Sequence, residues 1–419
     1  NAVTTLAANT GSIEYAQASA LTIGTVGVAG VTVTGSAGIE TTGAASSLTL
    51  ANAVTAAGTG NAIVLKASSS NAAGVATGGQ IINSVGAGGI VASAGRYLAY
   101  SGNPSVTTEG VTGYSKRYNS DASYVPAGTA SHFLYRIAPA LTVTANNKSR
   151  VYGDANPVLD GTVTGLIDGD TAGGVGVGYS TTAVANTAVA AGPVAITAAA
   201  TNLQNYTLTL NNGALTITPR ALTVTATGQN KVYDGTTNAS VTLADNRLAG
   251  DALTLGNTAA TFADKNVGAA KAVSVTGISV TGASAANYTF NTTAATTADI
   301  TARALTVGAT GQNRVYDGTT NASVTLTDNR VAGDVLTLSN TGASFASKNV
   351  GTAKAVNVSG INVTGVDAGN YTFNTTAATT ADITARALTV SPAGQNKVYD
   401  GTTNASVTLA DNRVAGDPL

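Results

Sequence analysis

Cleaving a sugar polymer takes two carboxylates across one cleft, or a metal-held substrate acid beside a proton acceptor. Up to Pro139 the sequence offers only Glu14, Glu40, Glu109 and Asp121 for that purpose, none near another along the chain. Folding alone could bring Glu14 to Glu40, and the expectation is that no sugar-sized cleft gathers a working pair. His132 is the sole histidine. That excludes a two-histidine metal site and leaves packing as its expected role. Neither an EF-hand loop nor a Gly-Gly-x-Gly-x-Asp nonapeptide occurs. Asp245, Asp251 and Asp264 are isolated acids, and the counterpart of Asp264 in the next sequence copy is Ser347. No catalytic residue, cofactor or metal ligand is therefore expected, and the chain reads as a non-enzyme.

One recurring cluster does combine polar types at fixed spacing. Lys231-Val232-Tyr233-Asp234-Gly235-Thr236-Thr237-Asn238 returns with Tyr316-Asp317-Gly318 and again with Tyr399-Asp400-Gly401, spaced by 83 residues (316 − 233 and 399 − 316). Residues 221–303 and 304–386 differ at 16 of 83 positions, so the two copies must share one fold. A third copy occupies 387–419. A more distant relative precedes them, with Tyr152-Gly153-Asp154 in the place of Tyr-Asp-Gly. The motif reads as structural: each tyrosine plugs a core with its hydroxyl at the rim, and Asp-Gly makes the turn.

Composition narrows the partners. Twenty Lys and Arg nearly cancel twenty-one Asp and Glu, and charged residues make up 10% of the chain. No basic run exists to collect phosphates, which argues against nucleic acid and anionic membrane surfaces. No apolar stretch of 18 residues occurs, so no helix spans a bilayer. Cys and Met are absent, which excludes disulfide and Cys-ligated zinc sites. Without an initiator or signal peptide, the sequence reads as a mature or internal fragment. With charges sparse and balanced, binding to neutral glycans through tyrosine stacking and Thr or Asn hydrogen bonds is expected, with weak salt dependence. Asn-x-Ser/Thr triplets at Asn238, Asn287, Asn291, Asn321 and Asn370 fit chance in so Asn- and Thr-rich a chain, with modification held open.

The elements that carry these residues read as strands throughout. Over residues 1–101 short apolar runs, such as Leu48-Thr49-Leu50 and Ile63-Val64-Leu65, are separated by Gly, Ala, Ser and Thr. Small side chains fit narrow stacked coils, hence the terminal rungs of a parallel β-helix. Aromatics then cluster at Tyr97, Tyr100, Tyr114, Tyr118, Tyr124, Phe133 and Tyr135. Residues 102–139 are expected to cap the last rung. From 140 onward an apolar period of two predicts small sandwiches over 140–220, 221–303 and 304–386, and a truncated one over 387–419. In the first 83-residue copy the predicted strands are 222–226, 231–233, 241–243, 253–255, 272–280 (bent at Gly277), 288–290 and 299–301. The truncated copy should open with strands 388–390 and 397–399, add 407–409, and lack the rest of its sandwich. It should then be poorly ordered or paired with another chain.

Three segments carry a family likeness: Gly95-Arg96-Tyr97-Leu98-Ala99-Tyr100-Ser101, Gly113-Tyr114-Ser115-Lys116-Arg117-Tyr118-Asn119 and Phe133-Leu134-Tyr135-Arg136-Ile137-Ala138-Pro139. Together they resemble the end of the β-helix in filamentous-haemagglutinin-like exoproteins. Residues 140–220 are similar to an MBG-type repeat and 221–419 to YDG-type repeats of the same adhesins. The resemblance implies an all-β chain: the end of a right-handed parallel β-helix with its cap, followed by tandem immunoglobulin-like β-sandwich repeats. It also implies two-partner secretion through an outer-membrane transporter and an extracellular or outer-surface location on a Gram-negative bacterium. Attachment, aggregation or biofilm roles follow, with extracellular polysaccharide or a host or neighbouring cell surface as partner. The alternatives are a self-associating fibre or sheath subunit and, less favoured, a β-helix polysaccharide-degrading enzyme.

Overall fold

The computed structural model describes residues 2–418; Asn1 and Leu419 lie outside the described residues. Among the described residues every long element is a strand, with only four single-turn 3-10 segments beside them. Contacts divide the chain into two compact units, the first ending at Arg220 and the second starting at Ala221.

In the first unit the chain visits three parallel sheets in rotation. Thr5–Leu6, Leu21–Ile23, Leu48–Leu50 and Ile81–Asn83 form one, and Ala8–Thr10, Val31–Val33, Val54–Ala56 and Ile90–Ala92 the second. The third holds Ile13–Gln17, Ala37–Thr41, Asn61–Lys66 and Arg96–Ser101, continued by His132–Tyr135 and Ser115–Arg117. Register stacks like on like: Leu21 faces Leu48, Val31 faces Val54, and Ile39 faces Leu65. All six side chains are buried. Three inward faces meeting at short range leave room for Val, Leu, Ile and Ala, which explains why aromatics are scarce there. At the far end they are needed. Tyr97 packs on Phe133 (6.1 Å between ring centres), Phe133 on Tyr135 (6.1 Å), Tyr135 on Tyr118 (5.8 Å) and Tyr118 on Tyr206 (4.8 Å). This file of rings runs from the strand Arg96–Ser101 into the residues that follow. Buried Arg136 fixes it, donating to the carbonyls of Ala67 (2.6 Å) and Gly79 (3.1 Å).

Residues 140–218 pair as two mixed sheets, one of Gly161–Thr164, Ala140–Ala145 and Thr207–Asn211, the other of Lys148–Val151, Gly213–Thr218, Val194–Ala200 and Val177–Thr181. Their alternating residues Leu141, Val143, Ile196, Ala198, Leu215 and Ile217 are buried. The second unit repeats one pattern twice. A four-stranded sheet runs Lys231–Val232, Thr293–Thr301, Gly268–Thr276, Ala259–Phe262, beside the pairs Val224–Gln229 with Ser240–Asp245 and Thr254–Gly256 with Ser279–Thr281. The copy starting at Ala304 reproduces each of these pairings.

Three sequence expectations change. The strand predicted over 272–280 is two strands in two sheets, broken at Gly277. There φ is +64° and a Cβ would sit 2.0 Å from Thr258 Oγ1. The predicted three-residue strand 299–301 runs over the nine residues Thr293–Thr301, and Ala259–Phe262 was not foreseen. In the third copy Val390–Gly394 pairs with Val407–Asp411, but 397–399 is not a strand. Its counterpart Lys231–Val232 pairs with Thr293–Thr301, and residues 387–418 hold no equivalent of that partner. The hairpin leaves Val398 and Tyr399 89% and 93% exposed.

Candidate functional site: tyrosine–aspartate joints

The Tyr-Asp-Gly motif begins as a local turn. Asp234 accepts from the Thr236 N–H and hydroxyl, both at 2.9 Å, and from Lys231 Nζ at 2.8 Å. Asp317 and Asp400 repeat the two threonine bonds, with Arg314 and Lys397 in the place of Lys231. Gly235, Gly318 and Gly401 have φ of +78°, +82° and +72°, where a side chain is strained. At two of them space is short as well. A Cβ on Gly235 would lie 2.7 Å from Val331 Cγ1, and one on Gly318 2.5 Å from Val414 Cγ1. Both valines belong to the next repeat.

The tyrosine completes that contact. Tyr233 donates its hydroxyl to both oxygens of Asp334, at 3.0 and 2.9 Å, and Asp334 sits in the turn of the following repeat. Tyr371, from that repeat, donates to Asp334 Oδ2 at 2.6 Å. The two rings meet edge to face at 5.5 Å. Lys265 of the first repeat places Nζ 2.9 Å from Asp334 and 3.0 Å from Asp367, while Val267 N–H donates to Asn370 Oδ1 at 2.9 Å. One buried carboxylate, with 2% of its side chain exposed, thus collects two phenols and an ammonium from two repeats.

Electrostatics agree with that bonding. Burial alone would raise the Asp334 carboxyl, but hydrogen bonds from Tyr371, Lys265 and Tyr233 hold it below the ordinary value. Burial, then the facing carboxylate, pushes Tyr371 up to about 12. Asp334, then Asp367 and Tyr233, hold the Lys265 ammonium well above its usual value.

The arrangement recurs. Tyr316 donates to Asp417 at 2.7 Å and Lys348 pairs with it at 2.9 Å. Asp417 has 19% of its side chain exposed at this joint. In the first unit, Tyr118 and Tyr206 both donate to Asp170 Oδ2, at 2.8 and 2.7 Å, their rings again edge to face. Lys116 pairs with the neighbouring Asp168 at 2.5 Å. Burial, then Asp170, pushes the Tyr118 hydroxyl far up.

Of the residues singled out by sequence, Tyr152 and Tyr233 are buried, Tyr316 is half-buried and Tyr399 is exposed. Where the sequence reading placed each hydroxyl at a core rim, those of Tyr233 and Tyr316 end on an aspartate of the next copy. Asp170, Asp334, Asp417, Lys265, Lys348, Tyr206 and Tyr371 went unremarked as a set. The available signal was that Asp251, Asp334 and Asp417 keep the same 83-residue spacing as the tyrosines. Each acid weighed for calcium already has a partner: Asp245 pairs with Arg247 at 2.6 Å, Asp264 with Lys271 at 2.5 Å, and Asp251 accepts from Tyr288. Glu14 and Glu40 lie on adjacent strands of the third sheet and line one open groove of about 410 Å³. Register sets Glu14 opposite Gly38 and Glu40 opposite Ala16, although 26 positions separate the two acids (40 − 14). Glu40 faces Lys66 at 3.9 Å, and Glu14 is exposed with its carboxylate lying over Gly38. A glycosidase acid needs an apolar, water-poor pocket instead.

Comparison with known proteins gives a domain assignment. The YDG domain family matches residues 218–297 and 301–380, and the MBG domain (YGX type) matches 141–216. This is a repeat-containing, adhesin-like chain. No catalytic family is indicated for this adhesin-like chain, and no curated protein matches it. Among solved structures, the I9–I11 tandem of titin is 9% identical, covering 59% of this chain and 100% of that one at a TM-score of 0.17. Drosophila N-cadherin EC1-4 is 10% identical, covering 64% and 81% at 0.22.

Proposed function

We propose that this chain is a stretch of a secreted bacterial adhesin, a non-catalytic stalk that holds a binding surface away from the cell and adds contacts of its own. The recurring tyrosine–aspartate joint carries the reading. A domain string that must transmit tension needs its neighbours locked, and a tyrosine–aspartate–lysine contact of one kind joins the copy at 304–386 to the copies before and after it. In this reading residues 1–101 are the last rungs of a right-handed parallel β-helix, residues 102–139 its cap, and the repeats immunoglobulin-like sandwiches. The chain is of filamentous-haemagglutinin type, exported by two-partner secretion to the outer surface or matrix of a Gram-negative bacterium. Its partners there are extracellular polysaccharide or neighbouring cells. Beads coated with the intact chain should attach to biofilm matrix more strongly than beads coated with an unrelated β-repeat protein; equal attachment would refute the adhesive role.

A further inference from the structure

A groove of about 520 Å³ runs along the first unit where the cap meets residues 201–206. That volume lies within the ~300–1,000 Å³ typical of small-ligand sites. Three polar side chains lining it have hydrogen-bonding capacity that the protein leaves unused. Arg117 stacks its guanidinium on the Tyr124 ring at 4.4 Å, yet among the described residues it meets no carboxylate, and its buried Nε has no acceptor. Its neighbours Lys116 and Arg96 differ: Lys116 is neutralised by Asp168, and Arg96 donates to Asn61 and to the carbonyls of Pro126 and Gly128. Gln204, at φ +45°, turns a buried Oε1 that accepts from nothing. His132 places Nδ1 2.8 Å from the Ala130 carbonyl. In the neutral ring Nδ1–H donates there, which leaves Nε2 as an acceptor. Unmet buried groups of this kind call for a ligand or a water.

We propose that this groove binds an acidic saccharide, with the ring carboxylate held by the Arg117 guanidinium and adjacent hydroxyls donating to His132 Nε2 and meeting the Gln204 side-chain amide along the groove wall. A guanidinium fork matches a carboxylate, and stacking on Tyr124 holds it flat and aimed. Amide and imidazole acceptors suit hydroxyls. The surrounding chain is poor in charge, so a single uncompensated cation selects for an anion here. This deepens the adhesin reading and rests on it, because it names the saccharide class one contact would take.

The test is calorimetric titration of the intact chain with tri-galacturonate, with its methyl ester, and with sialyllactose. The first and third arms separate a matrix uronan from a sialylated cell surface as the source of the carboxylate. Saturable binding of at least one acid is expected, weakened at least about tenfold by esterification or desialylation and by Arg117→Gln. Gln204→Glu, which keeps the shape and sets a carboxylate against the ligand's, should abolish it, and thermal melting reports whether each variant stays folded. No saturable binding of either acid overturns the proposal, as does binding that ignores Arg117→Gln, Gln204→Glu or esterification. Bead attachment that persists without saccharide binding would sink the groove and leave the adhesive role standing.

Discussion

Replacing Tyr233 by Phe isolates what the clasp contributes. The ring and its edge contact with Tyr371 remain, and only the hydroxyl bonds to the two Asp334 oxygens go. A hydrogen bond to a charged group is worth about 1.5–3 kcal/mol, and because Asp334 is buried, water cannot readily replace it. The loss should appear at the joint. Val267 N–H donates across it to Asn370, so its exchange with solvent requires the two repeats to part. A joint weakened by that amount should exchange this proton between about tenfold and about a hundredfold faster in native-state hydrogen exchange. Tyr399→Phe supplies the control, since Tyr399 is 93% exposed and its loss should leave the Val267 proton unchanged. Tyr371→Phe should act like Tyr233→Phe, and the double variant should cost more than the two singles combined, because each leaves the carboxylate less satisfied. Protection at Val267 within twofold of the unaltered protein in Tyr233→Phe would refute the reasoning, and the tyrosines would then be core plugs and nothing else.

Gly235→Ala should destabilise more than Gly401→Ala, by about 1–3 kcal/mol in urea unfolding. Both adopt positive φ, but only the first drives a methyl into Val331. Acid should loosen the joints. Asp334 and Asp417 are both held below their ordinary values, so their contribution is complete above about pH 4 and drains as pH falls through their folded values. Urea midpoints taken down to pH 3 should fall less steeply in Asp334→Asn. Of the triplets at Asn238, Asn287, Asn291, Asn321 and Asn370, exposure to an Asn-linked glycosylating enzyme should modify Asn238 and Asn321 and spare the other three, as read by peptide mass spectrometry. Asn287 and Asn370 are buried, and the Asn291 amide already bridges to Val224 and Thr293.

Strand character was legible because an apolar period of two survives wherever one face is buried, as in Leu141 and Val143 or Val273 and Val275. It failed where the buried face is made of Ala and Thr. Thr293–Thr301 begins Thr-Ala-Ala-Thr-Thr, and those side chains carry no apolar period even though the backbone pairs throughout. Small residues at short intervals suggested stacked strands but carried no register, and it is the pairing of Ala16 with Glu40 that sets Glu14 and Glu40 along one groove. The joints were hidden for a different reason. Tyr233 and Asp334 are 101 residues apart, and no local pattern says that a tyrosine of one copy reaches the next. Counting charges across the chain also averaged away Arg117, whose lack of a partner is a matter of placement.

Each 83-residue repeat carries a tyrosine and a basic side chain at one end and an aspartate turn at the other. The interface is therefore directional and the same wherever two copies meet. Genes with near-identical tandem copies gain and lose whole units by misaligned recombination. Here such an event would join Tyr233 to the turn of whichever copy came next, with every partner already in place. Repeat number can drift between lineages without a single compensating substitution, so length becomes a heritable variable separate from stability.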